Sequence, residues 1–415
     1  MIIDLEKLHD WKVKKIPELL FFQEGPGVRN NQYTDKGVKL LNVANLQNGK
    51  LVLDNTDRYI SEQEAFGKYK HFLVDEGDLI IASSGIKVEY FDKKMGFVEK
   101  KHLPLCMNTS TIRFKSLNED ELNIYYFSYF LKTNYFKNQI ARLITGSAQL
   151  NFGPSHLKQI NVIVPPLHIQ LKIVKVLDKV QELIDKRKAQ IEDLEELVKS
   201  KFIEMFGEPI SNPKKWNVVK LGKISSVGSS KRVFIDELVN EGIPFYRGTE
   251  IGALSTGKNV EPTLFITKEH YEKLKNITGV PTIGDLLMPS ICPDGRIWSV
   301  DTKKPFYFKD GRVLWIHLES PAIKSMFLKY MLCEKFNREY NKIASGTTFA
   351  ELKIFVLKDL DIIMPPIELQ NEFVDFVKET DKLKFEMEKS LKELENNFNS
   401  LMQRSFKGEL FNEKQ

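Results

Sequence analysis

Cysteine is scarce in this 415-residue chain. Its three cysteines, Cys106, Cys292 and Cys333, stand far apart, which excludes a disulfide framework and a cysteine-held zinc by spacing. The seven histidines show no ligand spacing either. No apolar run approaches the ~20 residues that cross a bilayer. The opening stretch MIIDLEKLHDWKVKK carries charges where a signal peptide would have its apolar core, so a cytoplasmic protein without membrane contact is expected. A strong charge bias is also lacking. The 61 Lys and Arg against 56 Asp and Glu leave a net charge of +5, a weak pointer to nucleic acid. What remains, 42% hydrophobic and 28% charged residues, is the balance of an ordinary soluble globular protein, long enough for two to four structural units.

Catalytic motifs are missing too. Gly252 to Asn259 nearly matches a phosphate-binding loop, but Asn259 stands where a Ser or Thr hydroxyl must hold magnesium, and the segment reads as a loop containing a lysine. The two Pro-Pro pairs follow Val164 and Met364, so they lack the side-chain amide of an amino-methyltransferase motif. No glycine-rich strand–turn–helix for S-adenosylmethionine appears. Acidic pairs such as Asp75/Glu76 and Asp236/Glu237 read as solvated surface, and nothing assembles a nucleophile, base and oxyanion donor.

What the chain does contain is itself, twice. Gly146 to Gln170 aligns without a gap on Gly346 to Gln370, an offset of 200, with Leu157/Leu357, Lys158/Lys358, Ile163/Ile363 and both prolines identical. Weaker matches precede it in the same order. Trp11-Lys12-Val13 answers Trp216-Asn217-Val218, the stretch from Gly37 answers that from Gly242, and Gly77-Asp78-Leu79 answers Gly284-Asp285-Leu286. Ordered matches at a nearly constant offset indicate duplication.

Each repeat reads as α+β. Residues 38–43 and 72–82 carry β-branched and apolar residues bounded by Gly and Asp, the pattern of strands, and each Gly-Asp turn feeds a buried strand. Residues 121–132 and 322–336 place Tyr, Phe and Leu at helical spacing, and 161–164 and 361–364 are short strands ended by the Pro-Pro pairs. After each pair the texture changes. Ile169, Ile173, Val176, Val180 and Leu183, with Leu194 and Leu197 beyond, mark an apolar seam; Leu369, Phe373, Phe376, Leu383, Met387, Leu394, Phe398 and Leu401 mark a second. Arg187 and Gln190 interrupt the first, Ile191 and Val198 lie one place to its side, and Thr380 is a polar position in the second. Glycine stops both, at Gly207 and Gly408. A helix of about 40 residues is about 60 Å long and needs a partner along its length. Each could lie on its own domain, but two similar stripes in one chain favour an antiparallel pair.

This pattern resembles the DNA-specificity (S) subunits of type I restriction–modification systems, over essentially the whole chain. The most specific carriers are LITGSAQLNFGPSHLKQINVIVPPLHIQ and IASGTTFAELKIFVLKDLDIIMPPIELQ; the Trp-x-Val openings, GVKLLNVANL with GIPFYRGTEI, and GDLIIASSG with GDLLMPSIC support them. The resemblance implies target-recognition domains over 1–165 and 208–365, spacer helices over 166–207 and 366–408, and a tail over 409–415. It further implies that each domain reads one half of an asymmetric, bipartite site in double-stranded DNA, with the coiled coil as spacer. The subunit would be non-catalytic. S-adenosylmethionine would sit on two bound methyltransferase subunits, and ATP and magnesium on partner restriction subunits. A self-contained, divergent DNA methyltransferase or nuclease, and a coiled-coil scaffold that never touches DNA, remain alternatives at this point.

Base edges and phosphates are read by Arg, Lys, Asn, Gln and hydroxyl side chains. Loops rich in these groups nominate Arg29, Asn30, Asn42, Asn45, Ser83, Ser84 and Lys87 in the first repeat, and Arg247, Glu250, Ser290 and Arg296 in the second. The recurrent loops with Ser147 and Gln149, and with Thr347 and Thr348, fit backbone positioning better than base choice.

Overall fold

The computed structural model describes residues 11–54, 56–144, 150–345 and 350–411. The chain divides into two compact units. Unit 1 comprises Met1–Arg187 and Ser390–Gln415, and unit 2 comprises Lys188–Lys389. Among the described residues no helix is long and apolar enough to cross a membrane.

Both units build the same three sheets. In unit 1 a four-stranded sheet runs in the order Leu20–Glu24, Thr111–Ser116, Leu79–Ala82, Met95–Phe97, all antiparallel. Beside it Val38–Leu41 pairs parallel with Leu105–Met107 and antiparallel with Tyr59–Ile60. Lys12–Lys15 pairs with Asn161–Val164. Unit 2 repeats this with Ser225–Gly228, Val313–Leu318, Leu286–Pro289 and Trp298–Ser299, then Ile243–Tyr246 between Tyr307–Phe308 and Phe265–Ile266, then Asn217–Lys220 with Asp361–Met364. The duplicated α+β reading therefore holds at the level of strand order and register. The strands after both Gly-Asp turns are buried throughout, and Gly77 (φ 87) and Gly284 (φ 92) adopt the left-handed backbone those turns require.

The helix expected over 121–132 is Ile124–Lys132, and a second one that sequence reading did not separate, Asn134–Leu143, follows it, because Thr133 stops one and caps the other: its hydroxyl accepts the Phe136 amide at 3.2 Å. The second repeat runs a single helix there, Ser325–Ile343.

Two 40-residue helices, Leu167–Phe206 and Ile367–Phe406, follow the Pro-Pro pairs. The first begins in unit 1 and ends in unit 2; the second begins in unit 2 and ends in unit 1. Inside each unit the halves pair antiparallel. In unit 2 Phe373 packs edge-on against Phe202 and Phe206, while Lys384, further along its helix, pairs with Glu195, further back along the other. In unit 1 Gln170 and Phe406 meet the start of the Ile124–Lys132 helix and Asp178 and Phe398 meet Tyr129, so the two long helices descend past it in opposite senses.

The seam differs by one place from the sequence reading. Ile169, Ile173, Leu177, Ile184, Val198, Phe202 and Phe206 are buried in the first helix, while Leu183 and Leu197 remain 42% and 49% exposed. In the second helix Thr380 is buried with its hydroxyl on the Phe376 carbonyl, and Leu383 is 47% exposed. The two readings agree at Ile169 and Ile173 and part beyond them, where the stripe follows the ~3.6-residue helical period rather than a ~3.5-residue one. A buried glutamine fixes the start of each helix. Gln170 accepts the Asn123 amide and donates to the carbonyls of Glu121 and Pro165, all at 2.8–2.9 Å. Gln370 makes the same three bonds, to Lys324, Ala322 and Pro365.

Candidate nucleic-acid interface

Three local devices recur in both units and fix the loops on which candidate contacts sit. The first is the aspartate of each Gly-Asp turn. Asp78 accepts the Asp75 amide at 2.9 Å, and Asp285 the Thr282 amide at 2.8 Å. The rest of each carboxylate serves residues at matching register on the neighbouring strand. Asp78 faces Arg113 and Lys115 at 3.5 and 3.8 Å; Asp285 takes the Trp315 indole at 2.8 Å and the His317 ring at 2.7 Å. Burial pushes the Asp78 carboxyl above its usual range despite the backbone bond and the two cations. The shared frame thus carries different polar groups on the same strand positions.

The second device closes the turn after the parallel strand. The Asn42 amide donates to Asn45 Oδ1 at 2.8 Å, and the Arg247 amide to Glu250 Oε2 at 2.9 Å. Asn45 is 2% exposed and spends its Nδ2 on the Val52 carbonyl. Glu250 also receives Arg247 Nη2 at 2.6 Å, Nε at 3.1 Å and the Thr249 hydroxyl. Burial raises its pKa, but these bonds outweigh burial and hold it at about 2. Asn45 and Glu250 are therefore turn closers rather than base readers, a correction to their nomination. Asn42 is half-buried; its amide nitrogen donates to Leu40 and its oxygen accepts from Asn108 at 3.0 Å.

The third device is the turn ahead of that strand. In unit 1 the Arg29 amide donates to Gln32 Oε1 at 3.1 Å, and Gln32 Nε2 donates to Glu64 at 2.8 Å and the Tyr69 hydroxyl at 3.0 Å. Buried Asn108 accepts the Val28 amide at 3.2 Å, which ties this turn to Asn42. Arg29 and Asn30 are left exposed, and Arg29 forms no ion pair among the described residues. Unit 2 closes its turn alike, Phe234 amide to Glu237 Oε2 at 2.7 Å, yet exposes Phe234 and Ile235 instead. Asn108 was missed by sequence reading, since a lone buried asparagine has no spacing signal.

Ser83 and Ser290 also move off the list of readers. Both are buried, at 1% and 2% exposed, where their strands end. The Ser83 amide bonds the Ser110 carbonyl and its carbonyl receives the Phe152 amide; Ser290 does the same with Arg312 and Leu352. Ser84, half-buried, starts a short strand against Leu150–Asn151. Ser147, Gln149, Thr347 and Thr348 lie outside the described residues.

Beyond Ser84 the units part. In unit 1 a shallow groove of about 540 Å³ is lined by Gln47, Asn48, Lys87, Tyr90, Lys93 and Lys94. Tyr90 is 52% exposed, with the Lys93 ammonium 5.5 Å from its ring centroid. None of the three lysines has an ion pair among the described residues. Three free cations beside an exposed ring suit a phosphate backbone and a stacked or edge-on base. Unit 2 has a shorter loop here, and its Arg296 is held by Asp294 at 2.8 Å, a bond that raises the arginine pKa. The near phosphate-binding loop proves to be a helix end. Gly248–Leu254 is helical, Gly257 (φ 72) turns the chain out of it, and the Ser255, Thr256, Gly257 and Lys258 amides bond carbonyls of the helix end rather than facing a phosphate.

The sequence profile of the type I restriction modification DNA specificity domain matches residues 9–196 and again residues 213–396. The chain belongs to that family. It is a DNA-specificity subunit, of a kind that carries no catalytic centre of its own and assembles with other subunits of its restriction–modification system. It is similar to a putative type I restriction enzyme specificity subunit of Haemophilus influenzae, 26% identical over 56% of this chain and 59% of that one. It is also similar to the MjaVIII specificity subunit of Methanocaldococcus jannaschii, 23% identical over 90% and 87%. A solved structure from a study of complex assembly in a type I system shares the fold over 97% of this chain and 98% of its own, with a TM-score of 0.58 and 16% identity.

Proposed function

We propose that each unit reads one half of a bipartite site in double-stranded DNA and that the paired long helices set the spacing between the halves. The observation that supports this most is the pattern of sameness and difference between the units. Backbone devices repeat bond for bond, whereas the exposed side chains on them diverge: Arg29 and Asn30 against Phe234 and Ile235, and a lysine groove against a clamped Arg296. Two different readers on one frame suit two different half-sites. In unit 1 the proposed contacts are Arg29, Asn30, Ser84 and Lys87, with Tyr90, Lys93 and Lys94; in unit 2 they are Arg247 and Arg296, and Asn42 is a supporting residue. Phosphate contacts by the lysines would position the duplex, and Arg29 and Asn30 would specify bases.

The partners in this reading are two methyltransferase subunits, which would carry S-adenosylmethionine, and restriction subunits, which would use ATP and magnesium; the complex would work in the cytoplasm. Two copies of one partner need two similar surfaces. Val13 and Val218, at matching positions on the edge strands, are 40% and 49% exposed, and Leu183 and Leu383, at matching positions on the long helices, are 42% and 47% exposed. Methylome sequencing of the host with and without the gene tests the function. Loss of methylation at one split, asymmetric motif supports it; an unchanged methylome while the partner subunits are expressed refutes it.

A further inference from the structure

The geometry points to Phe234 and Ile235 as a thymine-reading pair, packing on 5-methyl groups in the half-site that unit 2 reads. The inference rests on the half-site reading proposed above. Phe234 is 58% exposed and Ile235 86% exposed, next to Val233 at 2%. Their exposure is built in, because the turn is held on both sides. The Ser230 hydroxyl bonds the Phe308 carbonyl at 2.6 Å, the Lys231 amide the Tyr307 hydroxyl at 2.9 Å, Arg232 pairs with Asp310 at 2.9 Å, and the Phe234 amide is taken by Glu237. A turn fixed in this way cannot fold a phenyl ring and a branched aliphatic chain back into the core, so they are presented to something outside the unit.

The repeat decides what that is. A partner that binds both units meets surfaces that stay alike, such as Val13 with Val218 and Leu183 with Leu383. The turn at 234–237 keeps the backbone closure of the turn at 29–32 while Phe and Ile replace Arg and Asn. Divergence on a common turn matches the one ligand that differs between the units, the DNA sequence. Where Arg29 and Asn30 offer donors to acceptor-bearing base edges, Phe234 and Ile235 offer only apolar surface. The apolar feature of the major groove is the thymine 5-methyl group. Lys231, exposed and without an ion pair among the described residues, stands beside the pair to meet a phosphate.

The test uses the complete complex with its methyltransferase subunits and a cognate duplex whose thymines, in both halves, are replaced one at a time by deoxyuridine. Each replacement removes one methyl group and leaves the pairing intact. Wild-type affinity should fall about fourfold at one or two thymines of a single half, the loss expected for one buried methyl. With Phe234→Ser and Ile235→Ser combined, thymine and uracil at those positions should bind equally, while the loss of affinity on base-pair mismatches in the other half persists. Phe234→Leu with Ile235→Val, which keeps apolar surface, should retain most of the discrimination. A serine variant that still distinguishes thymine from uracil, or a wild type indifferent to uracil at every position, overturns the inference and leaves the half-site reading standing. A wild-type complex that shows no preference for its cognate duplex overturns the half-site reading itself.

Discussion

Replacing Gln170 by Leu keeps the buried volume of the side chain and removes its amide. Three hydrogen bonds are lost, all between 2.8 and 2.9 Å, and the Asn123 amide and the carbonyls of Glu121 and Pro165 lose their partner. At a net ~1 kcal/mol per bond the loss comes to about 3 kcal/mol. The half-buried state of Glu121 and Asn123 lets water recover part of it, whereas Pro165 is buried and cannot be rescued. Gln370→Leu removes three bonds of nearly identical length from unit 2, so its cost should match within ~0.5 kcal/mol. Urea midpoints give the size of the loss, and hydrogen exchange locates it, with the Asn123 amide exposed in the first variant and the Lys324 amide in the second. Gln159→Leu, at an exposed site, is the control and should stay within ~0.5 kcal/mol of wild type. Shifts no larger than the control for both glutamines would refute the assignment of these residues as the pins of the long helices.

Arg247→Ala should weaken binding to the half-site of unit 2 and leave preference at the other half intact, measured on duplexes mismatched in one half at a time. Replacing Lys87, Lys93 and Lys94 by Ala should lower affinity for all sequences alike and reduce the salt dependence of binding by roughly one counterion per lysine; a changed base preference would contradict their role as phosphate contacts. Glu250 has a folded pKa of about 2, below its ordinary 4.5, so its contribution to stability is present above 4.5 and is lost as pH falls towards 2. Glu250→Gln should flatten acid unfolding of unit 2 in that window. Phe406→Ala should cost about 3–5 kcal/mol in unit 1, where its ring stacks on Tyr126 at 5.0 Å, without loosening the exchange-protected amides of unit 2.

The duplication, the two long helices and their glycine ends were legible in the sequence because periodicity and repeated prolines are local signals. The seam was read one place off because the leucines at 183 and 197 are as apolar as Leu177 and Val198. Gln170, which pins the start of the helix, gave no sequence signal, because its partners at Glu121 and Asn123 lie far back in the chain. The candidate contacts were less legible for the same reason. Asn45, Ser83, Glu250 and Ser290 have the right chemistry in the right loops, but Asn45 and Glu250 are spent closing their own turns, and Ser83 and Ser290 are buried where neighbouring strands tie down their backbone. Phe234 and Ile235 escaped notice because a search for donors and acceptors passes over apolar residues, and exposure is not a property of the sequence.

Unit 2 is one unbroken stretch, Lys188–Lys389, whereas the core of unit 1 includes Phe398, Met402 and Phe406, which arrive much later in the chain. Order of synthesis and order of completion are therefore inverted. At about 5–20 residues per second, the end of the first segment of unit 1, at Arg187, is made roughly 10–40 s before the helix turns that finish its core. During that interval Tyr126 and Phe130 lack the ring that later covers them. A message cut short just after Lys389 would release a chain with all of unit 2 and an open unit 1, whose uncovered aromatic core would be the first target of a protease.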